Sequence, residues 1–146
     1  MSAHFSGRVG ALARGWIGTP YRHQASLKTV GADCLGLIRG VWRELYENEP
    51  QIVPAYTRDW AEVTVQDTLL EAAQQHLVPV ERSEIQTGDV LLFRYRANLP
   101  CKHAAIAVSE MRMIHAYDGA AVAETSIGPW WRRRIAAIFT FPEMMS

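Results

Sequence analysis

The sequence lacks an excess of charge of either sign. Its 146 residues include 15 Lys and Arg residues and 15 Asp and Glu residues, so the formal net charge at pH 7 is zero. Proteins that bind nucleic acids usually carry a basic excess, because they must neutralise phosphate groups. The balanced charge gives no support to a nucleic-acid partner, and we expect none.

Cysteine and long apolar runs are also scarce. The only cysteines, Cys34 and Cys101, lie far apart in the chain, so they indicate neither a disulfide framework nor the paired ligands of a structural zinc site. No run approaches the roughly 18 apolar residues of a membrane span, so we expect no membrane insertion. Residues 9–17 are interrupted by Arg14 and followed by no small-residue cleavage site. We therefore expect synthesis in the cytoplasm without a signal peptide.

The hydrophobic pattern predicts helices in the first half of the chain and strands in the second. Apolar residues at helical spacing predict helices over residues 9–17, 34–47 and 67–76, and residues 50–59, with two prolines, are expected to be irregular. Strand formers after the turn at Thr87-Gly88-Asp89 predict strands over residues 90–95, 103–108, 113–117, 121–125 and 137–141. This order is typical of an α+β fold, with N-terminal helices packed on a C-terminal antiparallel sheet. No linker divides residues 1–146, so we expect one domain.

The stretch from Gly31 to Ile38 carries the strongest chemical signal. Asp33 is a good N-cap, and Cys34 begins an amphipathic helix whose apolar stripe continues through Ile38 and Val41. Unpaired N–H groups and the positive end of the helix dipole favour a thiolate there, as a nucleophile requires. A small apolar residue on a buried helix face explains the same cysteine without any chemistry. This stretch alone leaves both interpretations open.

Two histidines lie on strands of the predicted sheet. His103 begins a strand of small residues, and His115 lies in the next strand. Side chains alternate between the faces of a sheet, so two odd-numbered residues share a face only if an odd number of loop residues joins the strands. We therefore predict a loop over residues 109–111, with Ala105 opposite His115 and His103 as its diagonal neighbour. Cys34, His103 and His115 would then form a Cys–His–His site.

Other candidates have simpler explanations. Cys101 follows Pro100 and precedes no helix, so we interpret it as an ordinary thiol at a loop or strand edge. The segment over residues 129–135 mixes tryptophans and arginines, as a nucleic-acid patch does, but a short helix that buries its tryptophans is the simpler interpretation. A zinc site of Cys101, His103 and His115 has no recognisable ligand spacing.

Taken together, these motifs resemble the NlpC-type cysteine peptidases, which are compact papain-like enzymes that cleave peptidoglycan stem peptides. The resemblance covers nearly the whole chain, from about Trp16 to Phe141, and the motifs occur in the family's order. It assigns the nucleophile to Cys34, the general base to His103 and the polar third residue to His115. Tyr21 and Asp33 match residues that line the family's site and bind the substrate's amino end.

The chain departs from the family pattern at two places. Leu35 stands where serine is common, which removes a hydroxyl from the substrate contacts, and Ala104-Ala105 replaces an apolar residue followed by glycine. The closest likeness is to stand-alone versions associated with phage tails and gene transfer agents.

The resemblance implies a papain-like hydrolase without metal or organic cofactor. From this resemblance we expect it to cleave between D-glutamate and a diamino acid, to dock on a tail or baseplate protein and to act in the target periplasm. A structural tail component with incidental or lost activity and a papain-like acyltransferase are the alternatives, and a redox thiol protein is the weakest because no Cys-x-x-Cys pair occurs.

Overall fold

The computed structural model describes residues 2–47, 68–82, 84–117 and 119–143. Four helices are present in these residues: α1 (Ala3–Arg14), α2 (Cys34–Tyr46), α3 (Thr68–His76) and α4 (Pro129–Arg132). Eight strands accompany them: β1 (Ser26–Leu27), β2 (Gly31–Ala32), β3 (Val78–Pro79), β4 (Asp89–Phe93), β5 (His103–Ala107), β6 (Arg112–His115), β7 (Ala123–Ser126) and β8 (Ile135–Thr140). The irregular segment predicted over residues 50–59 lies outside the described residues. No described helix is both long and apolar enough to cross a bilayer.

Six of the strands form one antiparallel sheet, in the order β3-β8-β4-β5-β6-β7. Strands β4 to β7 follow one another as hairpins, and β8 returns to pair with β4 on its other side. Strands β1 and β2 form a separate two-stranded ribbon just before α2. The predicted α+β architecture is confirmed.

The two faces of the central strand β5 pack against different groups. Ala104 and Ile106 belong to the main core, together with Leu37 and Val41 of α2. Ala105 and Ala107 belong to a second cluster on the opposite face. The small side chains of β5 let α2 lie close to the sheet, and this contact brings the first turn of α2 to the start of β5.

The hairpin of β5 and β6 has the predicted register. Ile106 pairs with Ile114 and Ala107 with Met113. The Val108 N–H donates to the Arg112 carbonyl at 3.0 Å, which leaves residues 109–111 as a three-residue loop. His103 and His115 therefore share one face of the sheet, although the loop contains no glycine.

The predicted turn before β4 is also present. Gly88 has a φ of 92°, a conformation that favours glycine. Asp89 is fully buried at the start of β4, and its carboxylate accepts two hydrogen bonds of 2.7 Å from the Arg82 guanidinium and one of 2.8 Å from the Gln86 N–H. The carboxylate therefore holds the turn in place.

Several predicted boundaries are wrong. Helix α1 begins at Ala3, where Ser2 caps it, and ends at Arg14 instead of residue 17. His4 thus lies in the first turn of α1. The predicted loop before α2 contains the ribbon β1–β2. Trp130 in α4 is 43% exposed, contrary to the expectation of buried tryptophans, because the Arg134 guanidinium covers its ring at 3.8 Å.

Candidate active site

Cys34 is the first residue of α2, and Asp33 fixes the start of that helix. One Asp33 carboxylate oxygen accepts from the Gly36 N–H at 2.7 Å, and the other accepts from the Gln24 N–H at 2.8 Å. Asp33 is 3% exposed. The predicted N-cap is confirmed, and the same carboxylate ties the preceding loop to the helix.

Gly36 lets this loop approach the helix closely. A Cβ atom at Gly36 would lie 1.8 Å from the Ala25 carbonyl oxygen and 3.0 Å from Asp33 Oδ1. Only glycine fits between the loop and the first turn of α2. The glycine two residues after Cys34 is therefore needed for the backbone geometry around the sulfur.

The Cys34 thiol is half-buried and lies against the start of β5. Burial, and then the Asp33 carboxylate, raises the pKa of Cys34 to about 12, although hydrogen bonds from the backbone of Ala104, Leu35 and Cys34 itself act in the opposite direction. The expectation of a resting thiolate is therefore wrong. Burial outweighs the helix terminus, and the sulfur keeps its proton at neutral pH.

The structure brings His103 and His115 into direct contact. His103 Nε2 and His115 Nδ1 are 2.9 Å apart, and both residues are buried, with 4% and 6% exposure. The predicted shared face is confirmed. Because His103 Nε2 bonds to His115, His103 Nδ1 is the ring nitrogen left to accept a proton from a thiol.

Thr125 on β7 extends this pair into a chain of three side chains. Its Oγ1 lies 3.1 Å from His115 Nε2. If His115 Nε2–H donates to Thr125, His115 Nδ1 becomes an acceptor for His103 Nε2–H. His103 Nδ1 is then unprotonated, which is the tautomer that a general base next to a thiol requires.

Both imidazoles are neutral in the resting site. Burial, and then the charge of His115, lowers the pKa of His103 to about 3. Burial lowers the pKa of His115 to about 4. At neutral pH the site therefore holds a neutral thiol and two neutral rings.

An aromatic wall surrounds the histidine pair. The Trp131 ring centroid lies 5.3 Å from that of His103 and 5.4 Å from that of His115. The ring centroids of Phe93 and Tyr117 lie 5.8 Å and 5.5 Å from the centroid of His103. These rings supply the low-polarity surroundings that keep the imidazoles uncharged.

The remaining sequence candidates are placed as follows. Tyr21 is half-buried and forms an isolated parallel β-bridge with Ala32, the residue before the N-cap of α2. The two carboxylate oxygens of Asp33 both accept backbone N–H groups, so its substrate contact stays a prediction. Cys101 is fully buried, with its sulfur 3.8 Å from Arg94 Nη2.

The zinc alternative is not supported. Within the residues that the structure describes, no three His, Cys, Asp or Glu side chains converge as metal ligands would. His103 and His115 bond to each other through ring nitrogens that a metal would otherwise need.

Comparison with known proteins identifies relatives of the whole fold. The model of the NlpC/P60 family matches residues 18–139. Murein DD-endopeptidase MepS/Murein LD-carboxypeptidase of Escherichia coli K12 is 29% identical over 120 residues, which is 82% of this chain and 54% of that protein. Murein DD-endopeptidase MepH of the same organism is 28% identical over 119 residues, which is 80% of this chain and 39% of that protein. The chain thus spans about half the length of MepS.

Solved structures share the fold at low identity. A protein of Staphylococcus aureus Mu50 described as similar to a lipoprotein of the NLP/P60 family superposes with a TM-score of 0.64 at 19% identity, over 99% of this chain and 43% of that one. The NlpC/p60 domain of the peptidoglycan hydrolase SagA gives a TM-score of 0.61 at 21% identity, over 93% of this chain and 98% of that one. These likenesses show that the helices and sheet form an NlpC/P60 fold.

Proposed function

The chain belongs to the NlpC/P60 family of cysteine peptidases, and on this premise we propose that it hydrolyses stem-peptide bonds of peptidoglycan with Cys34 as nucleophile. One observation carries the proposal. The half-buried thiol of Cys34 at the start of α2 interacts with the backbone of Ala104, the residue that directly follows His103, and His103 contacts His115 at 2.9 Å. A nucleophile, a base and an orienting residue are the parts that acyl transfer needs.

The neutral resting site defines the order of proton transfers. As Cys34 Sγ attacks the carbonyl carbon, its proton passes to His103 Nδ1. The backbone N–H of Cys34 at the helix start stabilises the negative oxygen. The imidazolium of His103 protonates the departing amine, and a thioester remains on Cys34. Water, deprotonated by His103, then hydrolyses the thioester and releases the acid product.

His115 and Thr125 act on the base and not on the substrate. In the tautomer that we propose, His115 Nδ1 accepts from His103 Nε2–H across the 2.9 Å contact, which keeps the His103 ring oriented and stabilises its charge after proton transfer. Thr125 Oγ1 holds the His115 tautomer that makes this possible. We therefore assign both as positioning residues.

We propose the bond between D-glutamate and a diamino acid as the scissile bond, on the strength of the motif resemblance. The names of the curated relatives favour a second candidate, because MepS and MepH are both called DD-endopeptidases. Uncross-linked stem peptides contain the first bond only, whereas cross-linked dimers contain both. The two substrates therefore separate the candidates.

The decisive experiment is digestion of purified peptidoglycan, followed by mass analysis of the products. We expect stem-peptide cleavage that Cys34→Ala abolishes and that Cys101→Ala retains. Cleavage of cross-links alone would assign the DD bond. Acyl transfer to an added amine without hydrolysis would identify an acyltransferase, and an absence of any product would indicate a structural protein.

We further propose that the protein is incorporated into a phage-like tail or gene-transfer-agent particle, docks there on a hub or baseplate protein and acts in the target periplasm. The support is the likeness of the motif set to stand-alone tail versions. A docking surface away from Cys34 would leave the site open to the wall. Particles purified on a density gradient should contain the protein in constant ratio to a tail protein. Its absence from such particles would refute the delivery route.

A further inference from the structure

A concave feature lined by arginines lies where the segment after β4 meets the segment before β8. It is an open pocket of about 430 Å³. Its walls are Arg94, Tyr95, Arg96, Ala97, Arg133, Arg134, Ile135 and Ala136. Four of these eight residues are arginines, and no acidic residue of the described part of the chain lines the pocket. In a chain of zero net charge, this pocket is a local concentration of positive charge.

The pocket walls are held by contacts within the fold. The Arg94 N–H donates to the Arg134 carbonyl at 2.8 Å, which joins the two segments that form the pocket. Arg134 Nη1 donates to the Trp130 carbonyl at 2.9 Å, and its guanidinium lies 3.8 Å from the centre of the Trp130 ring. Lys102 Nζ lies 5.7 Å from the centre of the Tyr95 ring and adds a fifth cation at the edge. The Arg134 guanidinium is therefore positioned by the fold before any ligand binds.

The same two segments also supply the wall of the histidine pair. Phe93 pairs with His103 across β4 and β5, and Arg94 follows Phe93 directly. Trp131 contacts both histidine rings, and the arginines at 133 and 134 follow it. Trp130 links the two features, because its ring centroid lies 4.8 Å from that of Trp131 and 5.9 Å from that of Tyr95 in the pocket wall.

We propose that this pocket binds carboxylate groups of the peptidoglycan stem peptide next to the scissile bond, an inference that rests on the proposed function. Arginine is the side chain best suited to carboxylates, because its planar fork donates two parallel hydrogen bonds. A volume of about 430 Å³ is that of a small-ligand site, enough for an acidic amino-acid unit. The pocket therefore selects stem peptides with free carboxylates over amidated ones.

A nucleic acid fits the pocket less well. Recognition of single strands needs aromatic rings with a free face for base stacking. One face of Trp130 is covered by the Arg134 guanidinium, and the ring centroids of Tyr95 and Trp131 lie 5.9 Å and 4.8 Å from the Trp130 centroid. The aromatic residues here hold the arginines and leave little room to stack bases.

The test is a cycle that changes the pocket and the substrate separately. Arg96 and Arg133 are exposed, so Arg96→Gln/Arg133→Gln should fold normally. On a stem peptide with free carboxylates, KM should rise roughly tenfold or more with kcat within about twofold, since charge-assisted hydrogen bonds are lost. On the amidated peptide, the wild type should show the same rise and the double variant no further change. Arg8→Gln, at an exposed arginine of α1, is the matched control and should leave both KM values unchanged.

A binding measurement separates this inference from the proposed function. Titration of the stem peptide into Cys34→Ala protein needs no turnover. Equal affinity with and without the two arginine changes would overturn the pocket assignment while leaving the peptidase proposal intact. Stronger binding of inorganic phosphate than of the carboxylate peptide would assign the pocket to a phosphate polymer and overturn the inference. Arginine-dependent binding of a single-stranded oligonucleotide in place of the peptide would also overturn it.

Discussion

Acid should unfold this protein through its two buried histidines. Folding lowers the pKa of His103 to about 3 and that of His115 to about 4, whereas an unfolded histidine titrates near 6.5. Between these values the unfolded chain binds more protons than the folded chain. The free energy of unfolding therefore falls as the pH drops below about 6.5, and the stability is complete above that pH.

The size of the effect follows from the shifts. Each unit of pKa difference corresponds to about 1.4 kcal/mol. For His115, the difference between a pKa of 6.5 in the unfolded chain and about 4 in the folded protein corresponds to a loss of roughly 3 kcal/mol in the free energy of unfolding, once the unfolded chain is fully protonated. His103 contributes a similar amount by pH 4. Together they approach the whole free energy of unfolding of a marginal domain, which is about 5 kcal/mol.

Urea unfolding at a series of pH values between 7.5 and 4 measures this directly, with His115→Asn as the comparison. The variant removes one of the two buried imidazoles, so it should lose about 3 kcal/mol less than the wild type over this range. The lowered pKa of Glu124 makes the stability of both proteins depend on pH in the same way, so its contribution cancels when the two free energies of unfolding are subtracted. His4→Gln controls for the loss of an imidazole outside the pair. Parallel curves for wild type and His115→Asn would refute a neutral, buried pair.

Three further tests use substitutions at Cys34, Thr125 and Gly36, two of them with a matched control. Cys34→Ala should abolish hydrolysis with the fold retained in circular dichroism, while Cys101→Ala keeps most activity; the reverse would disprove the nucleophile assignment. Thr125→Val should lower kcat about two- to tenfold, because one hydrogen bond of about 0.5–1.5 kcal/mol no longer selects the His115 tautomer. An unchanged kcat would show that Thr125 does not position His115. Gly36→Ala should lower Tm and activity because its Cβ would meet the Ala25 carbonyl oxygen at 1.8 Å. Gly7→Ala is the control and should not lower Tm, since the space at its Cβ is open. Equal Tm values for the two variants would contradict the close packing at Gly36.

The histidine pair could be predicted from the sequence because strand geometry depends on position number alone. Side chains alternate by residue, so the requirement that His103 and His115 meet determined the loop length. The observed pairing of Ala107 with Met113 has that register. The Asp33 cap could be predicted for a similar reason, since it depends on backbone positions only three residues apart.

The parts of the site that come from distant segments could not be predicted in this way. Trp131 reaches the histidines because α4 precedes β8, and β8 pairs with β4 in the middle of the sheet. Thr125 reaches His115 through a seven-residue connection whose length no local pattern explains. Strand parity allowed Thr125 to share a face with His115, but only the order of the strands brought Thr125 and Trp131 to the site.

The charge state of Cys34 shows where local reasoning fails. A helix N-terminus stabilises a negative charge by roughly 0.3–1 kcal/mol, which is less than one pKa unit. A rise in the pKa of the thiol from 9.0 to about 12 corresponds to about 4 kcal/mol in the opposite direction. The larger effect arises from the packing of α2 on β5, which brings the sulfur out of water. In the proposed mechanism the thiolate therefore forms only as the substrate carbonyl reaches the sulfur and His103 takes the proton, so the chemistry would begin with binding.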